Sequence, residues 1–403
     1  MAAEPLSPDL RRKYEANIWK FQLYRGLQGL SLWMPIWVIY LLDKGLSLTQ
    51  ITLMDAPFWL ILALSEVPTG AFGDRYGRKQ SVAVGTFVFA VTMLLFGLAD
   101  SFLVLFVSYV TWAFAMSFQS GSDSAFLYDT LKELGKEDEF RKVLGRNLAI
   151  IQVVGAISAL IGPLLATITL SLPIIVNAFT TFGAFLVVTT FTEPKVRSDA
   201  NYRYADLIKA SLRVSATRGQ LRHLLLYSAL LGLVPLVGSA IFFQPYLANL
   251  GISVGLFGPI FLLSRGAGII GSLSSNRIAV RIGQRGAMVV VPIIVTLNVL
   301  GLSIVESIFG VALFALTSFA MAVLGPVTSA ALHREIGSEM RATVMSVQSL
   351  VRSLVFMPAE PFLGHVADRW GLGRAFLVLA GFMAASMLLV LGTWPKPKRE
   401  EPA

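Results

Sequence analysis

The chain has 403 residues, of which 55% are hydrophobic and only 14% are charged, with a mean hydropathy of +0.70. Soluble domains average about a quarter charged residues, so this composition excludes an ordinary soluble protein and indicates an integral membrane protein. The net charge of +9 does not indicate a nucleic-acid partner, because the bases lie in short loops, and the lack of cysteine excludes disulfides and thiol chemistry.

Apolar runs follow one another along the chain, each long enough to cross a hydrocarbon core of about 30 Å as a helix. Breaks at glycine, proline and charged residues predict twelve spans, six on each side of a polar loop. The first six spans are predicted at 17–41, 51–71, 81–99, 102–128, 147–168 and 171–192. The second six are predicted at 223–247, 253–275, 286–304, 308–331, 342–364 and 375–393.

The resulting plan is an all-α membrane protein with two six-helix bundles. We expect the N-terminal bundle at 1–192, a cytoplasmic inter-bundle loop at 193–222, and the C-terminal bundle with a short cytoplasmic tail at 223–403. The polar N-terminal segment has no cleavable signal pattern, so we expect the first span to direct insertion.

Lysine and arginine lie almost entirely on one side of the predicted membrane. The segments assigned to the cytoplasm contain Arg11, Arg12, Lys13, Lys20, Arg75, Arg78, Lys79, Lys132, Lys136, Arg141, Lys142 and Arg146, and the stretches NRIAVRIGQR, HREIGSEMR and KPKRE. The opposite side holds Lys44, Arg369 and Arg374. Positive loops stay inside, so we expect both termini in the cytoplasm and a multi-pass protein of the plasma (inner) membrane.

The segment GAFGDRYGRK, residues 70–79, concentrates charge between spans 2 and 3. It resembles the signature G-x-x-x-D-R-x-G-R-[RK] of the major facilitator superfamily. The matching residues are Gly70, Asp74, Arg75, Gly77, Arg78 and Lys79. Its glycines permit a tight turn, and the fork of Arg78 suits a carboxylate, for which Asp129 is the expected partner. The resemblance implies a cytoplasmic latch that is made and broken during alternating access; the alternative is a basic loop that only fixes topology.

Two later stretches partly repeat this segment. NRIAVRIGQR, between spans 8 and 9, is a degenerate copy with Val280 where Asp74 would stand. GHVADRWGLGR follows span 11 and is predicted to form an external turn. The drug-antiporter motifs are also incomplete, with Ser117 at the position of a proton-relay arginine and only Gly155, Gly162 and Pro163 kept in span 5.

Charged side chains inside a bilayer are costly, at least about 2.5 kcal/mol each, and so are candidates for coupling to substrate or protons. Arg25 and Asp123 lie about two turns from the cytoplasmic face and are expected to pair, either as a responsive contact or as a static ion pair. The other candidates are Asp55, Glu66, Arg265, Arg352 and Glu360. The alternative role for the carboxylates is to brace helix ends, which we favour for Glu66.

Aromatic side chains are expected to line a cavity suited to a lipophilic ligand. The candidates are Trp33, Trp37, Trp112, Phe118, Phe242, Phe243 and Tyr246, although each also fits a packing or lipid-facing role. No phosphate-binding loop or metal-ligand cluster occurs, and His223, His333 and His365 are isolated, so we expect no enzyme, cofactor or metal.

The predicted function is secondary active transport by alternating access, with proton-coupled efflux of a small lipophilic or amphipathic molecule by a monomer in the lipid bilayer. One alternative is uptake or export of an organic anion or a lipid-like substrate. Another is a transport-inactive sensor or scaffold, which would need a substantial domain outside the membrane.

Overall fold

The computed structural model describes residues 6–195, 219–334 and 341–392. All regular secondary structure in these ranges is helical, which confirms the predicted all-α class. Most of the predicted inter-bundle loop and the predicted C-terminal tail, KPKRE included, lie outside the described residues.

The helices before the central loop are α1 (Pro8–Gln28), α2 (Trp37–Asp43), α3 (Leu48–Tyr76), α4 (Arg78–Leu98), α5 (Phe102–Gln119), α6 (Ser122–Glu133), α7 (Phe140–Ala166) and α8 (Leu172–Thr189). Those after it are α9 (Gly219–Leu233), α10 (Phe243–Asn249), α11 (Phe257–Leu302), α12 (Phe309–Arg334), α13 (Arg341–Trp370) and α14 (Leu372–Gly392). A π-helix, Val234–Ile241, joins α9 to α10, and α11 is two helical segments that meet at Gly283.

Within the described ranges, eight helical segments are long and apolar enough to cross a membrane. They are Leu48–Glu66, Arg78–Leu98, Phe102–Glu133, Glu137–Ala166, Leu172–Thr189, Gly219–Asn249, Val254–Leu302 and Phe309–Arg334. Leu372–Leu388 is a shorter apolar helix. This number of apolar helices makes the chain an integral membrane protein.

Three spans that we predicted as single helices are interrupted. The first predicted span divides into α1 and α2 around residues 29–36, where Pro35 lacks the N–H of a regular helix. The fourth breaks at Gly121, whose φ of 76° lies in the left-handed region that favours glycine. The seventh passes through the π-helix, which contains Pro235. Amino-acid hydropathy does not register such breaks, since the interrupting residues are mostly apolar.

The predicted external turn at GHVADRWGLGR is also wrong in part. Helix α13 continues to Trp370, so Asp368 is helical, and the turn occurs at Gly371, where φ is 85°. The prediction ended the span where hydropathy falls, but backbone hydrogen bonding continues beyond the apolar stretch.

The chain divides into two compact units. The first comprises Met1–Leu46, Ile61–Asn201 and Ser253–Pro259, and the second comprises Ser47–Leu60, Tyr202–Ile252 and Ile260–Ala403. Helix α3 therefore belongs to the second unit in its first half and to the first unit in its second half.

Each unit has its own buried core. In the first unit, α4 packs on α5 and α8, and Phe21, Phe126 and Phe191 stack in the interior around α1 and α6. In the second unit, α13 packs on α9 and α14.

Candidate functional site

The segment 70–79 forms the junction between α3 and α4. Gly77 separates the two helices with φ 107° and ψ 150°, a conformation open essentially to glycine alone. The carboxylate of Glu193 accepts hydrogen bonds from the backbone N–H groups of Arg78, at 2.7 Å, and Lys79, at 2.8 Å. A Cβ atom on Gly77 would lie 2.9 Å from that carboxylate, so the position requires glycine for two reasons.

Glu193 was not among the residues predicted from the sequence. It caps the N-terminus of α4, where the helix dipole favours a negative charge. Burial raises the pKa of Glu193, and the two backbone hydrogen bonds oppose this effect without cancelling it. The available signal was an acid placed directly after the sixth apolar run, in the stretch TEPK.

Arg78 pairs with Asp74, at 2.5 Å, rather than with the predicted partner Asp129. The two residues are four positions apart on either side of the Gly77 turn, and this spacing brings their side chains together. Asp129 lines the same cavity of about 330 Å³ as Asp74, Arg78 and Glu193, without an ion pair to Arg78 among the described contacts.

The remaining residues of the segment have separate surroundings. Arg75 lies over the ring of Tyr76, 5.4 Å from its centre. A Cβ atom on Gly70 would meet nothing within 4 Å, so packing does not require glycine at this position. Lys79 contributes its backbone N–H to the Glu193 carboxylate.

Arg25 and Asp123, predicted to pair, are brought together in the first unit. Their side chains form an ion pair of 2.5 Å, with 28% of Arg25 and 16% of Asp123 exposed. Asp123 lies in the first turn of α6, directly after the break at Gly121, where the helix dipole also favours a carboxylate.

A second polar contact lies one turn further along α1. Gln28, the last residue of α1, donates a hydrogen bond to Gln119, the last residue of α5. The Gln28 Oε1 and Gln119 Nε2 atoms are buried and have no hydrogen-bond partner in the structure. Helices α1 and α5 thus end beside each other, with one hydrogen-bond donor and one acceptor unused. In many transporters, interrupted helices of this kind form the binding site.

The predicted aromatic residues of the first unit form a cluster beyond these helix ends. The rings of Trp33 and Trp112 meet edge to face at 4.6 Å between centres, and Trp33 also contacts Trp37 at 6.5 Å. Tyr109 and Phe89, which we had not predicted, complete the cluster against Trp112, at 5.1 and 5.6 Å.

Phe118 lies apart from this aromatic cluster and packs on Phe72 and Phe114. In the second unit, the predicted aromatics pack around Phe314 and Phe376. The residues concerned are Phe242, Phe243 and Tyr246, all at most 4% exposed. They form core rather than an open lining, although Tyr246 also borders a cavity of about 720 Å³ with Glu306 and Arg374.

Three other predicted charged residues lie where α3 and α13 meet within the second unit. Asp55 is 5% exposed and accepts a hydrogen bond from Trp59 Nε1 at 3.2 Å, while Glu360 is completely buried. The Arg352 guanidinium lies over the rings of Trp59 and Phe356, 5.6 and 5.7 Å from their centres.

Glu66 and Arg265 are both exposed. Neither belongs to the groups of charged and aromatic residues described above. Glu66 accepts a long hydrogen bond of 3.4 Å from Ser120, and Arg265 lies over Phe261 at 5.6 Å. Among the described residues, no group of three or more histidines, cysteines or acids has the arrangement of a metal site.

Comparison with known proteins finds matches that extend over nearly the whole chain. The sequence model of the Major Facilitator Superfamily matches residues 26–359. The uncharacterized MFS-type transporter YxaM of Bacillus subtilis is 23% identical over 380 residues, which cover 92% of this chain and 94% of that protein. Multidrug resistance protein 1 of the same organism is 28% identical over 176 residues, or 43% of this chain and 44% of that protein.

Solved structures show the same fold. The crystal structure of the nucleoside transporter NupG superposes with a TM-score of 0.76 and covers 96% of this chain and 100% of that one. Its identity to this chain is 14%, so the likeness concerns the fold alone.

Proposed function

The chain belongs to the major facilitator superfamily, and on that premise we propose that it exports a small lipophilic or amphipathic molecule in exchange for protons. It is an integral membrane transporter of this family. We further propose that transport occurs by alternating access between two six-helix bundles, residues 1–192 and 223–403. In this proposal the protein lies in the plasma membrane with both termini in the cytoplasm.

The observation that carries the proposal is the site where α1 and α5 end together. It combines the Arg25–Asp123 ion pair, the Gln28–Gln119 contact and the aromatic cluster around Trp33. Ligand sites are mostly apolar with a few fixed polar groups, and this site has that make-up. Rings of a lipophilic substrate would contact the tryptophans, while its polar group would contact the ion pair.

Efflux is supported by the partial likeness to Multidrug resistance protein 1. That match covers less than half of either protein, so it favours the direction of transport without defining the cargo. Proton coupling is supported by the carboxylates in the helical interior, since ionisable residues in membrane spans commonly carry protons or ions.

Transport of an organic anion or lipid-like substrate is the second candidate. Arg352 favours it, because its guanidinium is held over two aromatic rings and forms no ion pair in the described part of the chain. A cation held in this way is available to an anionic group, which would bind it more strongly than the rings do.

A proteoliposome assay tests both candidates. Purified protein is reconstituted, a pH gradient is imposed, and the movement of lipophilic cations, neutral aromatic compounds and organic anions is measured. We expect a lipophilic cation or neutral compound to move against the proton flux, and Asp123→Asn to reduce its rate at least tenfold.

Asp100→Asn is the matched control, since Asp100 forms an exposed ion pair with Lys44 away from the aromatic cluster, and its rate should equal that of the wild type. Movement of organic anions alone would favour the second candidate. If no compound responds to the gradient, proton-coupled efflux is wrong.

A further inference from the structure

The stretch GHVADRWGLGR, residues 364–374, repeats the local structure of the segment 70–79 as well as its pattern G-x-x-x-D-R-x-G. In both, a glycine with positive φ separates two helices: Gly77, with φ 107°, lies between α3 and α4, and Gly371, with φ 85°, lies between α13 and α14. In both, the arginine lies over the ring of the aromatic residue that follows it, at 5.4 Å in the first copy and 5.9 Å in the second.

The two copies differ at the position four residues after the aspartate. In the segment 70–79 this position is Arg78, which forms an ion pair with Asp74 at 2.5 Å. In the second copy it is Leu372, which has no charge. The Asp368 carboxylate is therefore not bound by an arginine at that position, and it binds the start of another helix instead.

Asp368 accepts hydrogen bonds from three donors at the start of α3. They are the backbone N–H of Leu48, at 2.9 Å, the backbone N–H of Thr49, at 2.8 Å, and the Thr49 hydroxyl, at 2.5 Å. The next N–H of α3, that of Gln50, donates to the Ser47 hydroxyl at 3.2 Å. The carboxylate thus binds the two N–H groups that the Ser47 side chain leaves to other acceptors. We call this contact the Asp368 cap.

The Asp368 cap joins residues that are 320 positions apart in the sequence, with both contacting segments in the second unit. Helix α3 precedes the central loop and α13 follows it. Next to the cap, a Cβ atom on Gly364 would lie 2.7 Å from the Leu48 carbonyl oxygen, so the two helices are in close contact there. Thr49 is partly exposed, which allows water to replace the carboxylate when the helices separate.

We propose that the Asp368 cap is an external latch, which holds α3 against α13 while the outer side of the transporter is closed and is released when that side opens. Release transfers the hydrogen bonds of the α3 N–H groups to water and allows the helices to separate at Gly364. The release during transport rests on the proposed alternating access, whereas the attachment of α3 by Asp368 does not.

The side chain of Thr52, one turn into α3, provides a direct measure of this latch. It is completely buried and lies beside Gly364, and the chain has no natural cysteine, so Thr52→Cys introduces a single buried thiol. Its rate of reaction with a water-soluble maleimide, in purified full-length protein in lipid nanodiscs, measures how often α3 and α13 separate. We expect Asp368→Asn to raise this rate about tenfold, because hydrogen bonds to a charged acceptor are the stronger ones.

Asp100→Asn in the Thr52→Cys protein is the matched control. It also neutralises a carboxylate on the proposed external side, but its ion pair with Lys44 lies in the first unit, so the labelling rate should stay unchanged. Thr49→Val removes only the hydroxyl donor of the cap and should give a smaller rise than Asp368→Asn. It takes the place of Asp368→Asn if that variant fails to fold, as judged by gel filtration.

Cross-linking tests whether the latch must open during transport. In proteoliposomes, Thr49→Cys and Asp368→Cys are combined and joined by a short, reducible reagent with two thiol-reactive groups. We expect transport to stop and to recover after reduction. The control pair is Lys44→Cys with Asp100→Cys, which also replaces an ion pair on the proposed external side but joins two parts of the first unit, so its cross-link should leave transport unchanged.

The latch is overturned if Asp368→Asn, or Thr49→Val in its place, leaves the labelling rate unchanged. It is also overturned if the cross-link between positions 49 and 368 leaves transport at its original rate. Faster labelling of Asp368→Asn in a protein that moves no compound would overturn the proposed function alone. Proton-coupled transport in a protein whose labelling ignores Asp368→Asn would overturn the latch alone.

Discussion

Gly77 shows how one residue fixes the geometry of the segment 70–79. Its backbone dihedral angles allow α3 to end and α4 to begin within one residue, and its missing side chain admits the Glu193 carboxylate to the start of α4. The turn also brings Asp74 to Arg78. The latch implied by the family resemblance is therefore a compact assembly of a turn, a cap and an ion pair, and its movement during transport remains a proposal.

Gly77→Ala is expected to reduce both stability and transport. Alanine at this φ and ψ costs of order 1–3 kcal/mol, and its Cβ would push Glu193 away from the N–H groups that it caps. The melting temperature of the purified protein and the rate in the proteoliposome assay measure the two effects.

Gly70→Ala is the control for this change, since a Cβ there meets nothing within 4 Å. Both quantities should stay at their wild-type values in that variant. Equal melting temperatures for Gly77→Ala and the wild type would show that the turn does not need glycine.

The residue scale also shows what the sequence does and does not reveal. Arg25 and Asp123 were matched because opposite charges at one depth of the membrane need each other, and the structure pairs them. Glu193 was missed because its partners are backbone N–H groups, and the residue types in a sequence do not indicate which backbone groups a side chain binds. Asp129 was matched to Arg78 by charge alone, whereas the local Gly77 turn offers Arg78 a nearer acid.

At the scale of helices, the first half of α3 and the second half of α13 come into close contact within the second unit. Asp368 caps α3, and Gly364 allows the backbones of the two helices to approach each other. Small residues permit such close helix contacts in membranes, where apolar burial adds little driving force. The first part of the stretch GHVADRWGLGR thus contributes a cap and a packing surface, and the predicted turn is confined to Gly371.

Gly364→Ala is expected to weaken this helix pair. The added methyl would overlap the Leu48 carbonyl and the Thr52 side chain, and overpacking of this kind typically costs about 1–3 kcal/mol. We expect a lower melting temperature, together with greater protease sensitivity in the first half of α3.

Gly381→Ala on α14 is the matched control, because a Cβ at that position meets nothing within 4 Å. Its melting temperature should equal that of the wild type. If Gly364→Ala is equally stable, the close approach of α3 and α13 is wrong.

The lengths of the apolar runs predicted that helices would form in these regions. They did not predict where a helix would be interrupted. The ends of α1 and α5 and the π-helix before α10 all fall inside stretches that we predicted as single spans. The clues were Pro35, Gly121 and Pro235, yet membrane helices often tolerate proline and glycine without breaking. Only the packing of neighbouring helices decides which of these residues interrupts a span.

At the scale of the whole molecule, the charge distribution predicts the orientation in the membrane. Basic residues crowd the segments assigned to the cytoplasm, while apolar helices form most of the described chain. With the N-terminus inside, the connection between α4 and α5 at Asp100 lies outside, and the connection between α6 and α7 at Glu137 lies inside. Both residues are exposed, so each position is open to a chemical probe.

The natural absence of cysteine makes this orientation directly measurable, since any introduced thiol is the only one in the protein. In intact cells, a membrane-impermeant maleimide should label Asp100→Cys and should label Glu137→Cys only after permeabilisation, because a charged reagent cannot cross the hydrocarbon core. Transport by each variant shows that the labelled protein is folded. The reverse labelling pattern would place the basic segments outside, and it would require the segment 70–79, with its Gly77 turn and Glu193 cap, to act on the external face.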